Sequence, residues 1–296
     1  MVRLPVERRR AERPHGPHSG PRRPWRRAVA QAFAACNRLL DRLPALHRHV
    51  QGAIRCTHDE VALRRGGRGL DGVRLAFLSD LHAGSCMREA DLCRIFAQVA
   101  AEQPDLVLLG GDLINTRERE ITFYREALRL LRPPLGVYAV PGNHDHFFGT
   151  DIELWRLFLR DHGVRVLLDA GERVTRGGAS LWLAGVDDLT EAGSDLEAAL
   201  AGAAEGEPIV LLSHHPDFFV EASGAGVDLQ LSGHTHGGQI RIFGWAPLTH
   251  SAHGYVEGFH ERNGARLFVG RGVGVTLLPL RVGAPAQIAF LTLRVP

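Results

Sequence analysis

Seven side chains in this 296-residue chain could together hold metal: Asp80 with His82, Asp112, Asn143, His214, and His234 with His236, and His144 stands beside them. Carboxylate, imidazole and amide oxygen in one set suit borderline to hard divalent cations such as Mn, Fe, Zn or Co. No cysteine is among them, so a closed structural zinc site is not expected. Seven ligands are too many for one ion with open positions. Two ions sharing a bridging carboxylate fit better, and a pair about 3.5–4 Å apart can clamp both oxygens of an in-line phosphoryl displacement. Taken singly, each residue has a plainer account: Asp and Asn are ordinary turn formers, and a lone histidine is most often structural. The stretch Gly233-His234-Thr235-His236-Gly237-Gly238-Gln239 alone favours a metal only modestly.

Their positions add the missing weight. Residues 73–79 read as a strand ending at Asp80. The continuous apolar run 105–109 suits a strand buried on both faces and ends at Gly110-Gly111-Asp112. Strand 136–140 ends at Pro141-Gly142-Asn143-His144-Asp145, strand 208–212 at Ser213-His214-His215-Pro216, and strand 227–232 at Gly233-His234. Five strands thus deliver their candidates to one edge, at the carboxyl ends where open α/β sheets bind ligands. Helices are predicted over 89–101, about 120–131, 151–161 and 194–203, with further strands at 164–168, 180–184, 266–269 and 287–295. The chain is α/β with a strand-rich second half.

Charge divides the chain in two. Residues 1–50 hold 12 arginines against Glu7, Glu12 and Asp41, a net of +9, which leaves −7 for residues 51–296. An acidic body is a poor general binder of nucleic acid, so nucleic acid is not an expected partner. We read residues 1–50 as an Arg/Pro-rich arm plus an amphipathic helix, and 51–296 as the catalytic domain. Val29, Phe33, Cys36, Leu40 and Leu43 form one helical stripe that ends near Pro44. That helix could pack on the body, lie on an anionic membrane surface through residues 26–50, or be a degenerate export signal. The last is not expected, because the apolar run is short, contains Gln31, and is followed by Asn37, Arg38 and Asp41. No run of about 18 apolar residues suggests a membrane span. The expected location is the cytoplasm, with peripheral attachment to the inner membrane. The four cysteines form no C-x-x-C pair and no disulfide framework.

Asp80-x-His82, Gly111-Asp112, Gly142-Asn143-His144-Asp145, His214 and Gly233-His234-x-His236 occur in the order of the calcineurin-like metallophosphoesterases, which the chain resembles from about residue 72 to its end. Ser79-Asp80-Leu81-His82, Gly185-Val186-Asp187-Asp188, Gly237-Gly238-Gln239, and Arg271-Gly272-Val273-Gly274 with Leu278-Pro279-Leu280-Arg281 resemble the YkuE-like bacterial branch. The resemblance implies a four-layer α/β/β/α sandwich with a dinuclear metal site between the sheets. It also implies that Asp80, His82 and His236 bind one ion, that Asn143, His214 and His234 bind the other, and that Asp112 bridges them. By the same resemblance His144 stays off the metals and acts on the phosphate, while Asp145 orients His144 or its loop. No role is assigned to His146 or His215. His250, His253, Arg117 and Arg271 could line a cleft or serve only packing. Asn115 stands where purple acid phosphatases carry a tyrosine ligand, so an Fe(III)–tyrosinate centre is not expected.

The expected reaction is hydrolysis of a phosphodiester or pyrophosphate by a metal-bridged hydroxide. The resembling branch includes enzymes that cleave a UDP-diacylglucosamine lipid precursor, so a lipid or nucleotide-lipid substrate is the favoured partner. The rival readings are a nuclease using the arginine arm and a non-catalytic scaffold of the same fold.

Overall fold

The computed structural model describes residues 54–146, 150–247, 249–276 and 278–296. The basic arm and the amphipathic stripe lie outside the described residues.

In chain order the elements are β1 (Arg55–Ala62), β2 (Arg74–Leu78), α1 (Glu89–Ala101), β3 (Leu106–Gly110), α2 (Tyr124–Leu128) and β4 (Val137–Val140). There follow α3 (Asn143–His146), α4 (Ile152–Asp161), β5 (Val164–Val166), β6 (Ala170–Arg176), β7 (Ala179–Gly185), α5 (Leu196–Leu200) and β8 (Ile209–Leu212). The chain closes with α6 (Phe219–Ala222), β9 (Leu229–Ser232), β10 (Gly258–Arg262), β11 (Ala265–Val269) and β12 (Gln287–Arg294).

Two six-stranded sheets form, in the orders β1-β12-β2-β3-β4-β5 and β10-β11-β9-β8-β7-β6. β2 to β5 are mutually parallel, and so are β7, β8, β9 and β11; antiparallel pairs join β12 to β2, β6 to β7 and β10 to β11. Side-chain alternation explains the layers. Leu75 and Phe77 of β2 and Leu106 and Leu108 of β3 face Leu181, Leu183, Val210 and Leu212 of β7 and β8 in a core between the sheets. Ala76, Leu78, Val107 and Leu109 point the other way, onto Phe96 and Val99 of α1 and Trp155 and Leu159 of α4. Trp182, Ala184, Ile209 and Leu211 cover the outer face of the second sheet with Leu196 and Ala199 of α5. The result is the four-layer α/β/β/α sandwich. The apolar runs at 105–109 and 208–212 are continuous because both of their faces are buried.

Three strands, β1, β6 and β10, were not expected. Each lies at a sheet edge and is largely half-buried or exposed. Edge strands carry charge to discourage further pairing, which erases the alternation that would reveal them. The helix expected over 120–131 is shorter. Glu118–Phe123 is a 3-10 turn, and α2 begins only at Tyr124. The buried Glu120 carboxylate accepts from the backbone N–H groups of Asn115, Thr116 and Arg117, which holds this turn tight. No helix among the described residues is long and apolar enough to cross a membrane.

Candidate metal centre

The five strands that end in candidate ligands do not share one sheet. β2, β3 and β4 belong to the first sheet and β8 and β9 to the second. The site therefore forms where the carboxyl ends of two facing sheets converge, as the resemblance implies, and not along the single edge that the strand ends alone suggested.

The backbone at these ends is unusual. Asp80, His82, Asp112, His234 and His236 all have left-handed φ values, between 47° and 70°. That conformation costs a non-glycine residue roughly 1–2 kcal/mol, and its concentration at one place marks a functional site. Backbone hydrogen bonds hold it: the N–H of Asp80 donates to Gly111 O and that of His82 to Asp112 O, both at 2.9 Å. The neighbouring glycines make room. A Cβ on Gly142 would lie 2.3 Å from Asp112 Oδ1, and one on Gly233 2.4 Å from Asp80 Oδ2.

All the predicted ligands come together. Ligand atoms of Asp80, His82 and His236 lie within 4.8 Å of one another, as do those of Asp80, Asp112 and His214, and those of His82, Asp112 and His144. His236 Nε2 is 3.4 Å from Asp80 Oδ1 and 3.1 Å from His82 Nε2. His214 Nε2 is 3.3 Å from Asp112 Oδ2, and His234 Nδ1 is 3.0 Å from Asn143 Oδ1. His144 packs edge-on to His82, with ring centroids 4.5 Å apart. Its Nδ1 lies 2.7 Å from the Asn115 carbonyl, and its backbone N–H donates to Asp112 Oδ1.

The electrostatics suit a divalent cation. His82 Nδ1 is buried with no hydrogen-bond partner among the described residues, an arrangement that needs an explanation, and His214 Nε2 faces only the Asp112 carboxylate at 3.3 Å and, more distantly, Asp80 Oδ1 at 3.9 Å. Burial holds His82 well below the usual imidazole range, reinforced by His144, and holds His236 well below it, reinforced by His82. Neutral imidazole is the ligating form. Burial pushes Asp80 up. For Asp112 burial works in the same direction, but His214, His144 and His82 outweigh it and hold the carboxylate well below its usual range. Burial opposes charge on His214, yet Asp112 and Asp80 raise it to about 10. The residues present fit a divalent-metal site.

Supporting residues surround the cluster. The Asp145 carboxylate, fully buried, accepts from the N–H groups of Leu113, Ile114 and Gly142 and from Trp155 Nε1, so it organises the loops after β3 and β4. Arg281 was missed as a site residue. Its guanidinium donates to the carbonyls of Gly274, His236 and Ala284 and lies 3.3 Å from His236 Nδ1. Burial pulls it down to about 10, so it remains charged at neutral pH. Only its place in the Leu278-Pro279-Leu280-Arg281 string distinguished it from a surface arginine. His215 and Asp188 were also without a role. The His215 ring lies 3.7 Å from that of His234, and its Nε2 is 3.1 Å from Asp188 Oδ2. His146 Nε2 lies 2.7 Å from Asp187 Oδ1. His250 reaches the rim, 5.8 Å from the His234 ring, whereas His253 lies against Tyr255. Arg271 faces Glu257 at 3.7 Å. Arg117 lines a cleft of about 260 Å³ with Arg88, Arg119, Glu120, Gly84, Ser85 and Phe123, the Glu120 carboxylate being bonded to the backbone of residues 115–117.

A two-sheet α/β sandwich with carboxylates and imidazoles at its converging strand ends defines a metal-dependent hydrolase. The sequence profile of the calcineurin-like phosphoesterases matches residues 73–238. The chain is 31% identical over 235 residues to the uncharacterized metallophosphoesterase YkuE of Bacillus subtilis (strain 168), covering 76% of this chain and 80% of that one. It is 32% identical to an uncharacterized metallophosphoesterase of Aquifex aeolicus (strain VF5), covering 75% and 85%. A Danio rerio transmembrane protein with metallophosphoesterase domain is 31% identical over 79% of this chain, which spans 56% of that protein's length. The chain belongs to the calcineurin-like phosphoesterase family and is by that membership a phosphoester hydrolase.

Proposed function

We propose that the chain hydrolyses a phosphodiester or pyrophosphate bond in a lipid-linked substrate, using two divalent ions. The observation that carries the hydrolytic reading is the convergence of Asp80, His82, Asp112, His214 and His236, with the buried His82 Nδ1 left without a hydrogen-bond partner among the described residues. Asp80, His82 and His236 would hold one ion, Asn143, His214 and His234 the other, and Asp112 both. When bound, such ions polarise the phosphoryl oxygens and lower the pKa of water to near neutrality.

The chain's own residues do the rest. Asp112 ties β3 to α3 through its bond from the His144 N–H, so the bridging carboxylate and His144 are set by one contact. The Asn115 carbonyl fixes the His144 ring through Nδ1, which aims the imidazole at a phosphoryl oxygen or the leaving group. Arg281 holds His236 by both its carbonyl and its ring. The cleft bearing Arg88, Arg117 and Arg119 opens from the loops that follow His82 and Asp112. It supports a substrate with a second anionic group beyond the scissile phosphate.

Two observations support a lipid-linked substrate: the basic amphipathic segment at 26–50 and the membrane proteins among the relatives. Peripheral attachment to the inner membrane from the cytoplasmic side follows from that reading. The test is turnover of nucleotide-lipid, phospholipid, cyclic nucleotide and bis-p-nitrophenyl phosphate substrates with Mn²⁺, Zn²⁺, Fe²⁺ or Co²⁺ supplied in turn. Preference for a lipid-linked pyrophosphate or diester supports the proposal. Equal or better turnover of nucleic-acid diesters would overturn the substrate assignment, and no metal-dependent turnover of any diester would overturn the hydrolytic one.

A further inference from the structure

Two loops leave the metal centre and end in exposed apolar side chains. The first follows His236 and turns at Ile242-Phe243-Gly244-Trp245, where Ile242 and Trp245 exchange both backbone hydrogen bonds. The second carries Leu278, Leu280 and Val282. Gln239 joins them: its side chain donates to the carbonyls of Thr276 and Leu278 and accepts from the Thr276 N–H. Backbone bonds from Arg241 to Val282 and from Val282 to Gln239 complete the join.

The tips are unlike an ordinary surface. Phe243 is 105% exposed, Trp245 69%, Ile242 57% and Leu278 55%. Phe243 also has φ +50° and precedes Gly244 at +83°, a two-residue turn that favours Asn-Gly. A bulky aromatic is thus held in a left-handed conformation with no packing among the described residues to compensate it, which points to function rather than stability. Arg241 and Arg271 in these loops share the single carboxylate of Glu257, and Arg281 turns inward onto His236, so the loop tips carry no acidic group of their own although the body from residue 51 is net acidic. The described chain also begins beside the second loop. The Arg55 N–H donates to the Ala286 carbonyl, and the Gln287 N–H donates to Gly272 O, next to Asp80. The +9 segment of residues 1–50 therefore joins the fold at the edge that holds the metal cluster.

We propose that these two loops dock the metal-centre edge onto an anionic lipid surface. Phe243, Trp245, Leu278 and Leu280 would enter the interface and the arginine arm would lie across the headgroups. Protruding tips, rather than a groove, suit a bilayer interface, where tryptophan and phenylalanine are favoured. The inference rests on the lipid-linked reading above and supplies its geometry, because docking there brings the metal cluster to the headgroup level.

The test is flotation of the full chain with vesicles of phosphatidylglycerol and phosphatidylcholine. The comparison is a chain carrying Phe243→Asn, Trp245→Ser and Leu278→Ser. Asn suits the left-handed turn, so thermal stability is expected to hold. The bound fraction should fall about tenfold or more, given the apolar surface withdrawn, while hydrolysis of soluble bis-p-nitrophenyl phosphate is unchanged. In a chain carrying Trp25→Phe, so that Trp245 is the one exposed tryptophan beside the buried Trp155 and Trp182, emission should shift to the blue on adding vesicles, and a further Trp245→Phe should remove that shift. Equal flotation of the two chains, or no flotation of the parent, would overturn the proposal. So would Trp245 emission already blue and indifferent to vesicles, which would place the 26–43 stripe over the loops. The two readings fail separately: vesicle binding needs no turnover, and loss of activity on the soluble diester would strike only the hydrolytic one.

Discussion

Asp112 is the residue on which the site turns. Its carboxylate lies 3.3 Å from His214 Nε2 and 3.6 Å from His82 Nε2 and accepts from the His144 N–H. Asp112→Ala is expected to remove both metal and activity, with metal content by atomic emission and diester turnover as the measurements. His144→Ala should instead lower turnover by about 10²–10⁴-fold, the range for a general acid or base, with metal content preserved. Stoichiometric loss of an ion in that variant would make His144 a ligand. Arg281→Met leaves the ligands in place but frees His236. Metal affinity should fall about 10–100-fold, as for other groups that orient a ligand, and isothermal titration with Mn²⁺ measures it. The ligand identities were legible in the sequence because Asp and His directly after an apolar run stand out. Arg281 was not, because only its contacts with His236 distinguish it, and nothing in its sequence neighbourhood reports them.

At the scale of elements, the strand ends fix the ligands by close approach. Gly142→Ala places a methyl group against Asp112 Oδ1 and His214 Cδ2, so the loop after β4 must shift. Metal affinity and activity should both drop while the far-ultraviolet circular dichroism is retained. Glu207 does comparable work away from the site. It accepts from Arg173 Nε and Nη2, Ser180 Oγ and the Ala204 N–H, linking β6, β7 and the turn after α5. Arg173 chiefly, with Ala204, Ser180 and against some burial, lowers Glu207 to about 2. A carboxylate depressed in the fold stabilises it above its unfolded pKa of about 4.5, and that contribution is lost as pH falls toward 2. Glu207→Gln should therefore cost about 1–2 kcal/mol at pH 7, discounted for solvent around the half-exposed Arg173. The gap to the parent chain should close between pH 4.5 and 2, as urea unfolding across that range can measure. The buried strands of both sheets could be read from apolar runs, but the edge strands β1, β6 and β10 could not, since pairing rather than composition makes them strands.

For the whole molecule, the metal cluster couples the two sheets. Its groups are supplied by β2, β3 and β4 on one side and β8 and β9 on the other, so an ion that binds only the folded chain stabilises the sandwich. Chelation is expected to lower Tm, and restoring a divalent ion at about 100 times its Kd should return about 2.7 kcal/mol, as calorimetry with and without chelator would show. An unchanged Tm would mean that the cluster forms without bound metal.

The sequence by itself determined the donor types, their place at strand ends, the α/β class and the acidic body with its basic arm. These are local properties, set by residue chemistry and by the two- and 3.6-residue periods of strand and helix. Only the tertiary structure decided which of the ligand-bearing strands fall in each of the two facing sheets. It also decided that Arg281 packs against His236, and that Phe243, Trp245 and Leu278 project from one edge. Such facts depend on which distant segments pair, and the pairing of β12 with both β1 and β2, more than 200 residues apart in the chain, leaves no mark in any short stretch of residues.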